Sequence, residues 1–132
     1  MKIVVSEFCG LGNSVLLSSA LRTLKNANFH VSLIGNNKFG GISIHQHSKF
    51  IDEKIDLSKF TYKVLINFFK SIKNSDYVII PAHSNPSLFF LFMLSLFSKK
   101  KVIISYKYFG DLNLIKKILL KYTAKFNKNN FI

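Results

Sequence analysis

The chain alternates short apolar runs with longer segments in which apolar residues recur every three or four positions. The short runs, rich in Val and Ile, predict buried strands at Lys2–Ser6, His30–Ile34, Asp76–Ile80 and Lys101–Ser105. Residues Ile51–Leu57 alternate apolar with charged side chains, which predicts a short edge strand. These five segments are the candidate strands of one sheet.

Segments of helical periodicity separate these strands. The first covers residues 14–27 and has an apolar face. That face consists of Leu17, Ala20, Leu21, Leu24 and Ala27. The second begins after Ser58, as the N-cap, and continues to about Lys73. Its inward residues are expected to be Val64, Leu65, Phe68, Phe69 and Ile72.

Two more helices follow in the second half of the chain. Residues Ser87–Ser98 are apolar nearly all round, which favours a buried helix. The last helix is expected to begin at Asp111 or Asn113 and to end near Phe126. Residues 38–50, with a Gly-Gly pair and the polar sequence HQHSK, predict a loop.

The alternation of strands and helices predicts an α/β, Rossmann-like, doubly wound parallel sheet with strand 1 in the centre. We expect one domain over residues 1–126, followed by a frayed tail, 127–132. Ligands bind such sheets beyond the carboxyl ends of the strands. Four segments are therefore expected to share one rim: Glu7–Asn13, Gly35–Asn37, Pro81–Asn85 and Tyr106–Gly110.

The sequence EFCGLGNSVLL, after the first strand, contains two glycines that match the start of a dinucleotide-binding turn. Val15 stands where that motif has its third glycine, and no acid ends the second strand, so the match is incomplete. The Walker pattern is also absent. The turn is expected to be tight, with Gly10 and Gly12 relieving backbone strain and Asn13 or Ser14 capping the helix. A helix that starts at the rim would attract an anion.

The first 28 residues, MKIVVSEFCGLGNSVLLSSALRTLKNAN, resemble the opening of family 9 glycosyltransferases, the bacterial lipopolysaccharide heptosyltransferases. Gly12-Asn13 occupies the place of the family's Gly-Asp, and residues 19–25, SALRTLK, occupy that of its "ALRxLK". The segments SDYVIIPAHSNPSLFFLFML and KKVIISYKYFG are similar to the family's fourth strand, the helix after it and its fifth strand.

This resemblance implies the N-terminal, acceptor-binding half of a two-domain GT-B enzyme. Such an enzyme transfers a sugar from a nucleotide-activated donor, such as ADP-heptose, to a lipopolysaccharide core acceptor. It implies no cofactor, no metal, and a cytoplasmic location peripheral to the inner membrane. The family's C-terminal, donor-binding domain is absent from the sequence, so a separate donor-domain polypeptide is a candidate partner.

The chain departs from the family at its catalytic base. The family's turn aspartate is thought to take the proton of the acceptor hydroxyl, and Asn13 cannot, because an amide has no basic site near neutral pH. Glu7, in the same loop, is an alternative base, although a solvated rim carboxylate is the simpler interpretation. The chain alone is therefore expected to be inactive, as a truncated product, a split subunit or a domain that has lost catalysis.

The loop between Pro81 and Pro86 carries three polar side chains on the expected rim, and Lys107 follows the last strand. These side chains are candidates for contact with acceptor hydroxyls or a core phosphate, while an ordinary loop and a solvated lysine are the alternatives. The acceptor-binding residues predicted in this way are Gly10, Gly12, Ser14, His83, Ser84, Asn85 and Lys107.

Histidine and cysteine suggest little further chemistry. His45, His47 and His83 have no acid or cysteine at a matching spacing, so we expect exposed loop histidines and no metal site. Cys9 is the only cysteine, which excludes an internal disulfide and favours a reducing compartment. Next to a helix amino end it is a candidate acidic thiol, but a small residue that fills a tight turn is the simpler interpretation.

The chain has a formal net charge of +13, from 19 Lys and Arg against 6 Asp and Glu. Most of the surplus lies in residues 67–132. It suggests a polyanionic partner, such as an anionic membrane, a phosphorylated glycolipid or nucleic acid, and compositional bias is the alternative. Nucleic acid is the least favoured, because no RNA-binding aromatic motif is present.

The last helix carries a lysine stripe that is a candidate membrane surface. The stripe consists of Lys117, Lys121, Lys125 and Lys128, with Ile115, Ile118, Leu119 and Tyr122 opposite it. A core helix with a solvated lysine face is the alternative. The longest apolar run, Leu88–Phe97, is too short to span a bilayer, so a core helix or a helix in the membrane interface is expected.

Two functions fit these observations. The first is the N-terminal domain of a heptosyltransferase-like glycosyltransferase. The second is a non-catalytic remnant or accessory domain that binds anionic glycolipid or a membrane surface.

Overall fold

A computed structural model describes residues 1–81, 83–97, 101–104 and 112–123. The strands are β1 Lys2–Glu7, β2 His30–Gly35, β3 Glu53–Asp56, β4 Tyr77–Ile80 and β5 Lys101–Ile104. The helices are α1 Leu11–Asn26, α2 Gly41–Ile44, α3 Tyr62–Lys73, α4 Leu88–Leu96 and α5 Leu114–Thr123, with a 3-10 turn at Asn37–Phe39.

The strands form one parallel sheet in the order β3-β2-β1-β4-β5. The predicted doubly wound α/β class, the central position of β1 and the edge position of β3 are confirmed. The domain limits, 1–126, stay a prediction, because residues 124–132 lie outside the described part of the chain.

Alternation along the strands divides the core into two layers. On one face, α1 packs Leu17 and Leu21 against Ile3 and Val5 of β1. The other face carries α3, α4 and α5. Its core is formed by Val4, Ile34, Ile55, Phe68, Ile72, Val78, Ile80, Phe90, Leu91, Met93, Leu94, Val102, Ile104, Leu112 and Leu120.

Helix starts differ from several predictions because the capping groups are not the expected ones. The N-cap of α3 is Thr61, whose hydroxyl accepts the Val64 N–H at 3.3 Å, and not Ser58. Ser58 instead donates its hydroxyl to Asp56 at 2.6 Å. Ser87 caps α4, where the sequence predicted that helix to begin. Asn113, one of the two predicted starts of the last helix, directly precedes α5, and its side chain accepts a backbone N–H of the first helical turn.

The predictions for one loop and for three apolar helix residues are also wrong. Residues 38–50 are not a plain loop, since they contain the end of the 3-10 turn and α2. Ala20 and Ala27 are exposed, and Phe69 is at the surface although its ring makes edge-to-face contacts with those of Phe68 and Phe97. An apolar residue at a helical spacing is buried only where another element covers it.

Candidate functional site

An open cleft lies at the carboxyl edge of the sheet, next to the ends of β1, β2 and β4. It has a volume of about 170 Å³. Its lining residues are Phe8, Asn36, Lys38, Asn85 and Ser87. Three of the four segments predicted to share a rim therefore meet there. The fourth, Tyr106–Gly110, lies outside the described residues and includes the predicted contact Lys107.

The amino end of α1 follows the cleft residue Phe8 by only three positions in the chain and is not closed by a side chain. The helix begins at Leu11, with Gly10 as an N-cap that makes no side-chain hydrogen bond, so the predicted caps Asn13 and Ser14 are wrong. The first backbone N–H groups of a helix have no partner within it. Because the first turn contains no acid, these donors and the helix dipole remain available to an anion or a hydroxyl.

The two glycines of the turn do not relieve strain, contrary to the prediction. Gly10 has an extended backbone, with φ −81° and ψ 176°, and Gly12 lies inside the helix. A Cβ added at either position would meet nothing within 4 Å. The lack of side chains therefore leaves open space beside the helix start, which suits the close approach of a ligand.

The side chains that follow the glycines point in different directions. Asn13, which the sequence resemblance predicts to stand at the family's aspartate position, is exposed. Ser14 is fully buried, and its hydroxyl donates to the Gly10 carbonyl at 3.3 Å. Asn13 can therefore reach a ligand, whereas Ser14 holds the turn.

Glu7 is fully buried, so the solvated rim carboxylate expected from the sequence is wrong. Its side chain lies on the same face of β1 as those of Ile3 and Val5, the face that α1 covers. Its Oε1 accepts the Cys9 N–H at 3.0 Å. Oε2 is buried without a hydrogen-bond partner and lies against Gly41 of α2. A base at Glu7 would be shielded from a ligand in the cleft.

Two histidines interact with this carboxylate. His45 is buried, against the expectation of an exposed loop residue, and His83 is half-buried, while His47 is exposed as predicted. Burial lowers the pKa of both His45 and His83, and the negative charge of Glu7 opposes that shift. Both rings have a buried Nε2 without a partner. The neutral form is therefore favoured for both rings.

Cys9 is not an acidic thiol. Burial, followed by a hydrogen bond to Glu7 and the Glu7 charge, raises the pKa of the thiol from 9.0 to about 12. The thiol is protonated at neutral pH and is a poor nucleophile.

The loop between Pro81 and Pro86 divides its polar groups between structure and surface. Ser84 is fully buried, and its hydroxyl accepts the Phe8 N–H at 3.2 Å, which joins the loops after β1 and β4. Asn85 is exposed in the cleft, and its Oδ1 accepts Nζ of Lys116 at 2.6 Å. Acceptor contact through His83, Ser84 or Asn85 stays a prediction.

Among the described residues, no group of three or more His, Cys, Asp or Glu side chains is arranged to hold a metal ion. In the described ranges no helix has the length and apolar character needed to cross a bilayer. On α5, Lys121 is exposed and Lys117 is half-buried, while Lys125 and Lys128 lie outside the described part of the chain.

Sequence reasoning did not name Phe8, Asn36, Lys38, Ser87 or Lys116 as individual residues of the site. Phe8 lies within the predicted rim segment Glu7–Asn13 and Lys38 directly follows Gly35–Asn37, so the strand ends were a usable signal. Lys116 reaches Asn85 from a helix 31 residues further along the chain, and no local pattern indicates that contact.

The sequence matches no protein-family model and no curated protein sequence. The structure is similar to a crystal structure of a protein assigned as a UDP-N-acetylglucosamine 2-epimerase from Listeria monocytogenes, with a TM-score of 0.51 and 12% sequence identity. The similarity covers 95% of this chain and 38% of the epimerase chain, so this chain spans well under half the length of that protein. The fold of this chain is thus that of a Rossmann-like α/β domain, consistent with the N-terminal half of a GT-B fold.

Proposed function

We propose that the chain is the acceptor-binding half of a GT-B glycosyltransferase of the heptosyltransferase type. In this proposal it acts at the cytoplasmic face of the inner membrane with a donor-binding domain or polypeptide. The acceptor is a lipopolysaccharide core, and the donor is a nucleotide-activated heptose. The resemblance of the first 28 residues to that family supports the proposal.

The observation that carries the proposal is the open amino end of α1, three residues after Phe8 of the cleft lining. Gly10 and Gly12 leave the backbone accessible, and the first-turn amides of α1 are donors for a hydroxyl or phosphate oxygen. Asn36, Asn85 and Ser87 add amide and hydroxyl groups suited to sugar hydroxyls. A concave site with a few polar groups around an aromatic ring is typical of small-ligand sites.

The fold supports the sugar-nucleotide part of the proposal. The similar structure carries a name that refers to a UDP-sugar, and its likeness covers nearly all of this chain. At 12% identity the likeness carries the fold alone, so the heptose donor and the core acceptor depend on the sequence resemblance.

In the transfer step, the acceptor oxygen forms a bond to the anomeric carbon while the bond from that carbon to the nucleotide diphosphate breaks. The diphosphate leaves with the electron pair, and the acceptor proton passes to a base. Asn13 can hydrogen-bond the acceptor hydroxyl but cannot take its proton. Protonated Cys9 and buried Glu7 are not accessible bases, so transfer by this chain needs a base from elsewhere.

Amide chemical shifts of the isotope-labelled chain, titrated with a detergent-dispersed lipopolysaccharide core, test the proposal. We expect shifts at Gly10, Gly12 and Asn85. Gly12→Ala fills the open space without an internal clash, so it should weaken binding by about tenfold while the fold is kept. Ser19→Ala, on the exposed surface of the same helix, is the matched control. Shifts confined to other regions, or unchanged affinity in Gly12→Ala, would refute the proposal.

A second function is favoured by the surroundings of Asn13. The family's base position carries an exposed amide, and the nearby carboxylate, Glu7, is buried. A non-catalytic domain that recognises anionic glycolipid needs the cleft but no base. Binding of the core without any gain in activity from a restored carboxylate would favour this function.

A further inference from the structure

Helix α4 presents an apolar stripe to solvent. Leu88, Phe92 and Leu96 are spaced four residues apart and are all exposed, Phe92 by 53%. The opposite side of α4 is buried in the core through Phe90, Leu91 and Leu94. The sequence pattern, apolar nearly all round, therefore does not correspond to a fully covered helix.

Helix α5 presents a second apolar stripe next to the first. Leu114, Ile115, Ile118 and Tyr122 are exposed, Ile118 by 57%, while Leu120 is buried. The alternative considered from the sequence, a core helix with a solvated lysine face, therefore does not hold for Ile115, Ile118 and Tyr122. Because α4 and α5 pack against each other on one face of the sheet, their outward stripes lie on the same side of the molecule. We call these seven residues the α4–α5 surface.

The third helix of this layer differs. The outward positions of α3 include Lys63, Asn67 and Lys70, which are exposed and polar. Helix α3 also exposes two aromatic residues, Tyr62 and Phe69, but most of its exposed residues are polar. Every exposed residue of α4 and four of the five exposed residues of α5 are apolar, so apolar exposure is concentrated on these two helices. A contiguous exposed apolar patch usually marks an interaction surface.

Charge on this side of the molecule has one sign. None of α3, α4 and α5 contains Asp or Glu, whereas α3 and α5 contain several lysines. On α5 the apolar residues alternate with Lys117 and Lys121. Apolar side chains flanked by lysines are complementary to a surface with an apolar interior and an anionic rim, which is the structure of an anionic bilayer.

We propose that the α4–α5 surface binds the headgroup region of anionic membranes, with Phe92 and Ile118 inserted among the lipids and the lysines at the phosphates. This surface is distinct from the cleft, and the proposal does not depend on the transferase function. It also differs from the lysine stripe predicted from the sequence, because α4 supplies apolar contacts and carries no lysine.

A tryptophan reporter tests the proposal, because the chain contains no tryptophan. Phe92→Trp places the reporter on the α4–α5 surface. Leu16→Trp places it on α1, on the opposite face of the sheet, at a residue of similar exposure, 67%. Vesicles of phosphatidylcholine with phosphatidylglycerol should shift the emission of Phe92→Trp to shorter wavelength and leave Leu16→Trp unchanged. Vesicles of phosphatidylcholine alone should give a smaller shift, and salt should reverse it.

Vesicle co-sedimentation of a double variant gives a second readout. Phe92→Ser with Ile118→Ser should lower the partition coefficient by about tenfold or more, because two apolar insertions are removed. Leu16→Ser is the matched control, and circular dichroism verifies the fold of each variant. Equal shifts in both tryptophan variants, or unchanged partition of the double variant, would overturn the proposal. A dimer that dissociates in the double variant would overturn it too, since a second copy would then occupy the surface.

Discussion

Glu7 and Gly41 lie so close together that no side chain fits at position 41. A Cβ there would be 2.2 Å from Oε2 of Glu7 and 2.7 Å from the carbonyl oxygen of Cys9. Gly41 belongs to α2 and Glu7 to the end of β1, so this contact seats the short helix on the central strand. It also closes the buried side of the turn that leads into α1.

The contact predicts opposite effects of two glycine substitutions. Gly41→Ala should lower the free energy of unfolding by about 1–3 kcal/mol, because backbone and a buried carboxylate must move to admit the methyl group. Gly12→Ala meets no atom and improves helix propensity, so stability should be unchanged or rise by up to about 1 kcal/mol. Urea unfolding measures both. Equal destabilisation by the two substitutions would contradict the described packing.

The buried His45 predicts a loss of stability in mild acid. Burial lowers its pKa from the ordinary value of 6.5, against the charge of Glu7 and the hydrogen bond to the Ser14 backbone, while Lys54 assists the shift. The unfolded chain then binds a proton more readily than the folded chain. The stabilising effect is complete above pH 6.5 and is lost as pH falls from the unfolded pKa towards the folded one.

Urea unfolding at pH 7.5 and at pH 5 tests this sign. The urea concentration at the unfolding midpoint should be lower at pH 5 than at pH 7.5. His45→Gln should reduce this difference, while exposed His47→Gln should not. Burial would raise the pKa values of Asp52 and Glu53, but hydrogen bonds from Lys25 and Lys2 outweigh it and lower them below 3.8 and 4.5. The contribution of these two carboxylates to the free energy of unfolding is therefore lost only at a lower pH than that of His45. An identical fall in His45→Gln would assign the effect to other groups.

The raised pKa of Cys9 predicts an unreactive thiol. With a pKa of about 12 instead of 9.0, the thiolate fraction at pH 8 falls steeply, so alkylation by iodoacetamide should be at least about a hundredfold slower than in the unfolded chain. Both the charge of Glu7 and its hydrogen bond to the thiol favour the protonated form. Glu7→Gln removes the charge and weakens the hydrogen bond, so it should lower the pKa of Cys9 and speed the alkylation. A native chain that reacts as fast as the unfolded one would contradict the burial of this thiol.

The exposed amide of Asn13 predicts how the transferase activity responds to a carboxylate. The chain alone should not turn over ADP-heptose, since an activated-sugar donor needs contacts that a single half cannot supply and Asn13 cannot serve as the base. With a donor-binding half supplied, Asn13→Asp should raise kcat by about a hundredfold or more, because general base catalysis contributes on the order of 10²–10⁴-fold. Asn13→Ala is the control that removes the amide without adding a base.

A radiolabelled-sugar transfer assay distinguishes the outcomes. A rise in Asn13→Asp but not in Asn13→Ala would support the base position inferred from the family resemblance. No rise in a complex that is shown to be folded would mean that the base lies elsewhere. Turnover by the unaltered 132-residue chain would overturn the expectation that it is inactive.

The sequence by itself determined the order and type of the main elements. Alternation in Ile51–Leu57 indicated the edge strand, and the Val- and Ile-rich runs indicated the inner strands. These patterns are local, because side-chain direction repeats every two residues in a strand and about every 3.6 in a helix. A parallel sheet then places the strand ends together, which is why three of the four predicted rim segments meet at the cleft, while the fourth lies outside the described residues.

Only the tertiary structure decided which of these side chains are covered. Glu7 follows an apolar strand and looked like a rim residue, yet α2 covers it from a distant part of the sequence. Phe92 and Ile118 fit a buried helical face by spacing, yet no described element lies over them. Lys116 reaches Asn85 across 31 residues. Burial depends on contacts between segments far apart in the chain, and the periodicity of one segment carries no information about what packs against it.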